Sequence, residues 1–180
     1  MDLEIRAAGT LKAASPGHLS GYAAVFNVES NLGGFVEVIR PGAFAQSLRA
    51  GTNVRALYHH QQDALLGTTK GGTLSLHEDS HGLAFSLALP DTTHGRDLAV
   101  LVGRGDISGC SFGFRVRDGG DKWERRSNGE LLRELRSVEL EEITLTHDPA
   151  YVDTSVALRS YRAAIALSPD DLRRLWLETF

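Results

Sequence analysis

The sequence is short of cysteine. Cys110 is the only one in 180 residues, so neither a disulfide framework nor a multi-cysteine zinc site is available within the chain. Aromatic residues make up 7%, and there are five prolines and one methionine. No run approaches the roughly 18 apolar residues of a membrane-spanning helix. Basic residues are not in excess. Nineteen Lys+Arg face 23 Asp+Glu, a net charge of −4, which removes the electrostatic argument for nucleic acid or an anionic membrane. The start, Met1-Asp2-Leu3-Glu4, has neither the basic nor the apolar region of a signal peptide. Gly71-Gly72 and Gly119-Gly120 are not followed by Lys-Ser/Thr and a helix, so they are not phosphate loops. No repeat or low-complexity tract is present.

What remains is enough for one core. The chain is 42% hydrophobic and 23% charged, ordinary values for a globular domain. Nineteen glycines favour short, turn-rich elements. Leu3–Ala7, Leu19–Phe26, Phe35–Ile39, Val54–Tyr58, Ile107–Val116 and Leu140–Thr146 read as strands by alternation and β-branching. Leu74 and Leu76 face Leu83–Leu89 across a polar bridge and predict a hairpin. Ser127-Asn128-Gly129 predicts a second one, between Trp123–Arg126 and Leu131–Val138. Pro41 opens a short helix to Arg49, and Thr92 or Thr93 caps a helix to Arg104. Ser168-Pro169-Asp170-Asp171 starts a C-terminal helix with an apolar stripe of Leu172, Leu175 and Trp176. The predicted fold is α+β: an antiparallel, closed or nearly closed β-barrel with a few short helices. Residues 1–160 form the barrel domain, and residues 161–180 a linker and amphipathic helix.

The candidate chemistry centres on a serine. Ser111 lies in Gly109-Cys110-Ser111-Phe112-Gly113-Phe114, where small residues let another chain approach closely. The N–H groups of Phe112 and Gly113 are candidate donors to an oxyanion. The plainer reading is a strand bulge with a buried hydroxyl. A nucleophilic serine needs a base. His59 and His60 end a strand, so alternation sends one inward and one outward. Of Glu139, Glu141 and Glu142, alternation puts Glu142 on the side of Leu140, where a carboxylate wants a buried partner. Cys110 is a rival nucleophile, for which Arg104 or Arg115 could supply an electropositive niche, but the favoured reading is a small core residue. His77 and His81, with Glu78 and Asp79, have metal-ligand residue types. They fall in a turn, which argues against helical ligand geometry.

The ordered motifs say more. Gly21–Asn27, Ile39-Arg40-Pro41-Gly42-Ala43-Phe44, and Ala56-Leu57-Tyr58-His59-His60 with Leu66-Gly67 come first. Gly82-Leu83 to Thr92, Gly109–Phe114, Glu142-Ile143-Thr144 and Pro149-Ala150-Tyr151 follow. Over about Leu19 to Leu158 this series resembles the prohead (capsid maturation) serine proteases of tailed phages, relatives of the herpesvirus assemblin proteases. The resemblance implies a herpesvirus-protease-like fold and a serine endopeptidase with Ser111 as nucleophile, His60 as base and Glu142 as acid. Herpesvirus relatives use a second histidine as third member, which keeps His147 as the fallback. Where the family commonly has Asp after the base, this chain has Gln61. The implied role is cleavage of scaffold protein, or of the scaffolding region of the major capsid protein, with self-cleavage. The implied location is inside the procapsid, in the host bacterial cytoplasm. No cofactor, metal, nucleic acid or membrane is expected, and the dimers of the herpesvirus relatives leave a homodimer or higher oligomer open. The alternative is a catalytically inactive assembly or scaffolding protein on the same fold.

Overall fold

A computed structural model describes residues 3–15 and 17–147. The expected linker and helix of residues 161–180, and Pro149-Ala150-Tyr151, lie outside the described residues.

An eight-stranded sheet runs in the order β6 (Gln61–Thr68), β5 (Arg55–Tyr58), β12 (Val138–Thr146), β9 (Gly109–Val116), β1 (Glu4–Ser15), β2 (His18–Val25), β8 (Gly82–Ala88), β7 (Leu74–Glu78). It curls into a nearly closed barrel. A four-stranded sheet has the order β10 (Asp121–Arg125), β11 (Leu131–Leu135), β4 (Val36–Ile39), β3 (Glu29–Asn31). The expected α+β barrel with few helices is present, but its pairing is mixed. Neighbours are antiparallel except β12 with β5 and β11 with β4. Both exceptions join strands far apart in sequence, where no hairpin forces antiparallel pairing.

The expected hairpins form, with β7 on β8 and β10 on β11. β6 and β3 were not expected. β6 begins with Gln-Gln-Asp, three exposed polar residues, and forms because the hairpin returns it along β5. Helix α1 spans Ala45–Arg49, and the preceding Pro41–Phe44 is a turn rather than its first turn. Helix α2, Thr93–Arg104, is capped as expected: the Thr92 hydroxyl accepts the Gly95 N–H at 3.3 Å.

β9 decides the faces. Cys110, Phe112 and Phe114 alternate into the main core, where Phe112 lies edge-on to Phe44 at 5.4 Å and stacks on Phe114 at 5.2 Å. Ser111 and Gly113 therefore face the other side of the sheet. The two sheets are tied by buried ions. Arg6 of β1 reaches Glu37 of β4 at 2.6 Å, and Arg133 of β11 reaches Glu4 of β1 at 2.7 Å and Asp121 of β10 at 2.8 Å. Burial alone pushes the Glu4 carboxyl up, but the Arg133 and Arg6 guanidinium groups more than offset this and hold it below its ordinary 4.5.

Candidate active site

β12 carries a bulge at its centre. Leu140 pairs with Phe114, but Glu142 pairs with Gly113, so Glu141 is the extra residue. The bulge overturns the alternation argument for Glu142. Leu140 faces the core with Phe114, and Glu142 faces the opposite side with Gly113. The Leu140 N–H is taken by the Ser47 hydroxyl of α1 at 3.0 Å, which anchors the irregularity. Beyond it the register continues, Thr144 opposite Ser111. Ser111, Gly113, Glu142 and Thr144 thus form a two-by-two patch on one face of the sheet, and Ser111 and Glu142 are its diagonal.

The two histidines are not strand residues. Tyr58 pairs with Gln61, so His59-His60 is the whole turn between β5 and β6. Both have positive φ, 50° and 58°. A two-residue turn of this kind suits Asn-Gly, and bulky residues there are strained. β12 compensates for the strain. The His59 N–H donates to the Leu145 carbonyl at 3.2 Å, and His59 Nδ1 meets the Thr146 hydroxyl at 3.0 Å. His60 Nδ1 lies 3.0 Å from Glu142 Oε1. Burial pushes the His59 pKa down, and its neighbours His147 and His60 add to this, so His59 favours the neutral form.

Glu142 is only 1% exposed. Burial raises its carboxyl, but the His60 and Gln62 hydrogen bonds, with the charges of His60 and Arg55, outweigh burial and keep it below 4.5. An ionised carboxylate only accepts hydrogen bonds. His60 Nδ1 therefore carries the hydrogen of this bond, and Nε2 is the ring nitrogen that Glu142 does not engage. The second carboxylate oxygen is also held. Gln62 Nε2 donates to Oε2 at 3.2 Å, and Arg55 Nη1 donates to Gln62 Oε1 at 2.6 Å. The Glu142 side chain lies over Gly113, where a Cβ would sit 2.7 Å from its Cγ. Only glycine leaves room for the carboxylate there.

His60 and Glu142 are thus brought into contact, and Ser111 lies one diagonal step from Glu142. Other sequence-derived candidates are placed elsewhere. Phe112 and Gly113 sit mid-strand with partners on both sides, Arg6 and Ile5 of β1 and Ile143 and Glu142 of β12. Main-chain N–H groups so flanked serve the sheet ladder, which argues against their oxyanion role. Cys110 is fully buried on the core side, and burial pushes its thiol up to about 12, which disfavours a thiolate nucleophile. His147 packs edge-on against His59 at 4.8 Å rather than joining the His60 pair. Glu78 accepts the Phe44 N–H at 2.8 Å, and Asp79 accepts the Tyr22 hydroxyl at 2.7 Å, so both carboxylates serve the scaffold.

Sequence reasoning missed Gln62, Arg55 and Thr144. Arg55 and Gln62 meet Glu142 through strand pairing, which has no local signal. Thr144 follows Glu142 by two, so alternation alone puts them on one face.

A family model described as caudovirus prohead serine protease matches residues 1–166. No curated protein and no solved structure matches the chain.

Proposed function

The chain belongs to the caudovirus prohead serine protease family, and from that premise we propose that Ser111, His60 and Glu142 are its catalytic triad. One observation carries this reading. His60 Nδ1 is held at 3.0 Å by a buried Glu142 one diagonal step from Ser111 on the same sheet face. Diagonal cross-strand positions are about 7–8 Å apart, a gap that an imidazole bridges.

In this mechanism the Ser111 Oγ–H bond breaks as Oγ bonds to the scissile carbonyl carbon, and the proton passes to His60 Nε2. Glu142 stabilises the resulting imidazolium and keeps the ring in position. His60 then protonates the leaving amine. Water, deprotonated by His60, cleaves the acyl-enzyme and restores Ser111. The proposed substrates are scaffold protein or the scaffolding region of the major capsid protein, and the chain itself. The proposed setting is the procapsid within the infected host's cytoplasm.

The test is co-expression with the capsid and scaffold proteins of its own phage. Ser111→Ala, His60→Ala and Glu142→Gln should abolish or cripple their processing while the variants stay folded. Processing that persists in Ser111→Ala refutes the nucleophile. An inactive assembly protein on this fold would show no processing in the wild type either.

A further inference from the structure

Thr144 presents an unexplained buried hydroxyl. The residue is fully buried, and its Oγ1 has no hydrogen-bond partner among the described residues. Buried hydroxyls are nearly always satisfied, and an exception calls for an explanation, of which a catalytic role is one kind. Its two register partners offer one polar choice. On one side its register partner is Leu57 of β5, a fully buried aliphatic chain absent from the main core cluster. On the other side its register partner is Ser111. Directly opposed strand residues place their Cβ atoms about 4.5–5.5 Å apart, and Thr–Ser hydroxyl pairs are a recognised cross-strand contact. The two hydroxyls are not bonded in this geometry, and rotation about one χ1 brings such a pair together.

We propose that the Thr144 hydroxyl is a hydrogen-bond donor to Ser111 Oγ during acyl transfer. This rests on the reading of Ser111 as nucleophile. As the Ser111 proton moves to His60 Nε2, negative charge grows on Oγ until its bond to the carbonyl carbon is complete. In deacylation the same oxygen departs, again with negative charge, and takes the proton back from His60. A donor in a water-poor setting stabilises that charge at both moments. Thr144 keeps its own proton throughout. The orphaned state is then the resting one, and the partner appears only when Ser111 reacts.

The experiment compares Thr144→Val, which keeps the shape and removes the hydroxyl, with Thr144→Ser, which keeps the hydroxyl. The probe is a fluorophosphonate, with the rate of Ser111 labelling followed by mass spectrometry alongside the melting temperature. Thr144→Val should slow labelling by about tenfold, the value of one hydrogen bond, with no fall in melting temperature. Thr144→Ser should label at close to the wild-type rate. Wild-type labelling in Thr144→Val overturns the proposal. So does equal slowing in both variants, which would assign the effect to the γ-methyl. A slow Thr144→Val with a lowered melting temperature marks a structural hydroxyl and also overturns it. Failure of the underlying reading looks different: the wild type is not labelled, or Ser111→Ala and His60→Ala are labelled as fast as the wild type.

Discussion

Gly113→Ala tests whether Glu142 works by position. An added Cβ would sit 2.7 Å from Glu142 Cγ, 3.3 Å from Cδ and 3.5 Å from Oε1. Ordinary contact begins at 3.4 Å, so Cγ must retreat by about 0.7 Å. The carboxylate cannot simply swing into solvent, because Glu142 is buried and gripped by His60 and Gln62. Its 3.0 Å contact with His60 would stretch past hydrogen-bond reach. Misplacement of about 1 Å at a catalytic group can cost about 100-fold, or about 2.7 kcal/mol of barrier. Folding should suffer less. Overpacking costs about 1–3 kcal/mol, and replacing glycine in a strand returns about 0.5–1 kcal/mol. The variant should therefore stay folded and lose about two orders of magnitude in fluorophosphonate labelling of Ser111. A cycle with Glu142→Ala isolates the cause. With the carboxylate gone the methyl has space, so Gly113→Ala should cost no further activity in that background and should not destabilise. Activity near wild type in the single variant, or an equal loss in the Glu142→Ala background, refutes the reasoning.

Other perturbations follow from the same geometry. Gln62→Ala removes a donor that favours the ionised Glu142. Labelling should fall by about tenfold; labelling at the wild-type rate counts against the relay. Glu4→Gln breaks a buried ion cluster, with an expected loss of about 3–5 kcal/mol and a melting temperature lower by on the order of 10 °C. Because the folded Glu4 carboxyl lies below 4.5, its stabilisation is complete above that pH and fades as pH falls through the folded value. Thermal melts from neutral to acidic pH should therefore be flatter for Glu4→Gln than for wild type. Cys110→Ala should keep its activity, and the native thiol should resist iodoacetamide until the protein unfolds. Rapid native alkylation would contradict its core placement.

The parts of this site that the sequence made legible are those governed by a local period. Ser111 and Gly113 stand apart from Phe112 and Phe114 by strict alternation, and both structure and sequence place them on opposite faces. The N-cap at Thr92 and the β10–β11 turn at Asn128-Gly129 carry recognised local chemistry and form as expected. What was not legible depends on distant strands. The His59-His60 turn lacks the Asn-Gly signature that would mark it, because its strain is offset by Leu145, Thr146 and Glu142. The bulge at Glu141 rests on Ser47, more than 90 residues earlier. Alternation was therefore a sound rule applied to a strand that breaks it, and it predicted a buried Glu142 for the wrong reason.

These departures share one cause. Parallel pairing of β5 with β12 sets Arg55 beside Glu142 and Leu57 beside Thr144, and it delivers the following turn to the end of β12. A relaxed version of this junction would have an unbroken β12 with Glu142 aimed at the core, and small residues in the turn. It would also lack the His60–Glu142 pair. The bulge turns the carboxylate outward, the strained turn brings His60 over it, and Gly113 leaves the space between. Each irregularity costs folding free energy, and each is compensated by contacts that cross to or from β12. Their concentration on and against β12, opposite Ser111, is what the proposed chemistry at that hydroxyl requires.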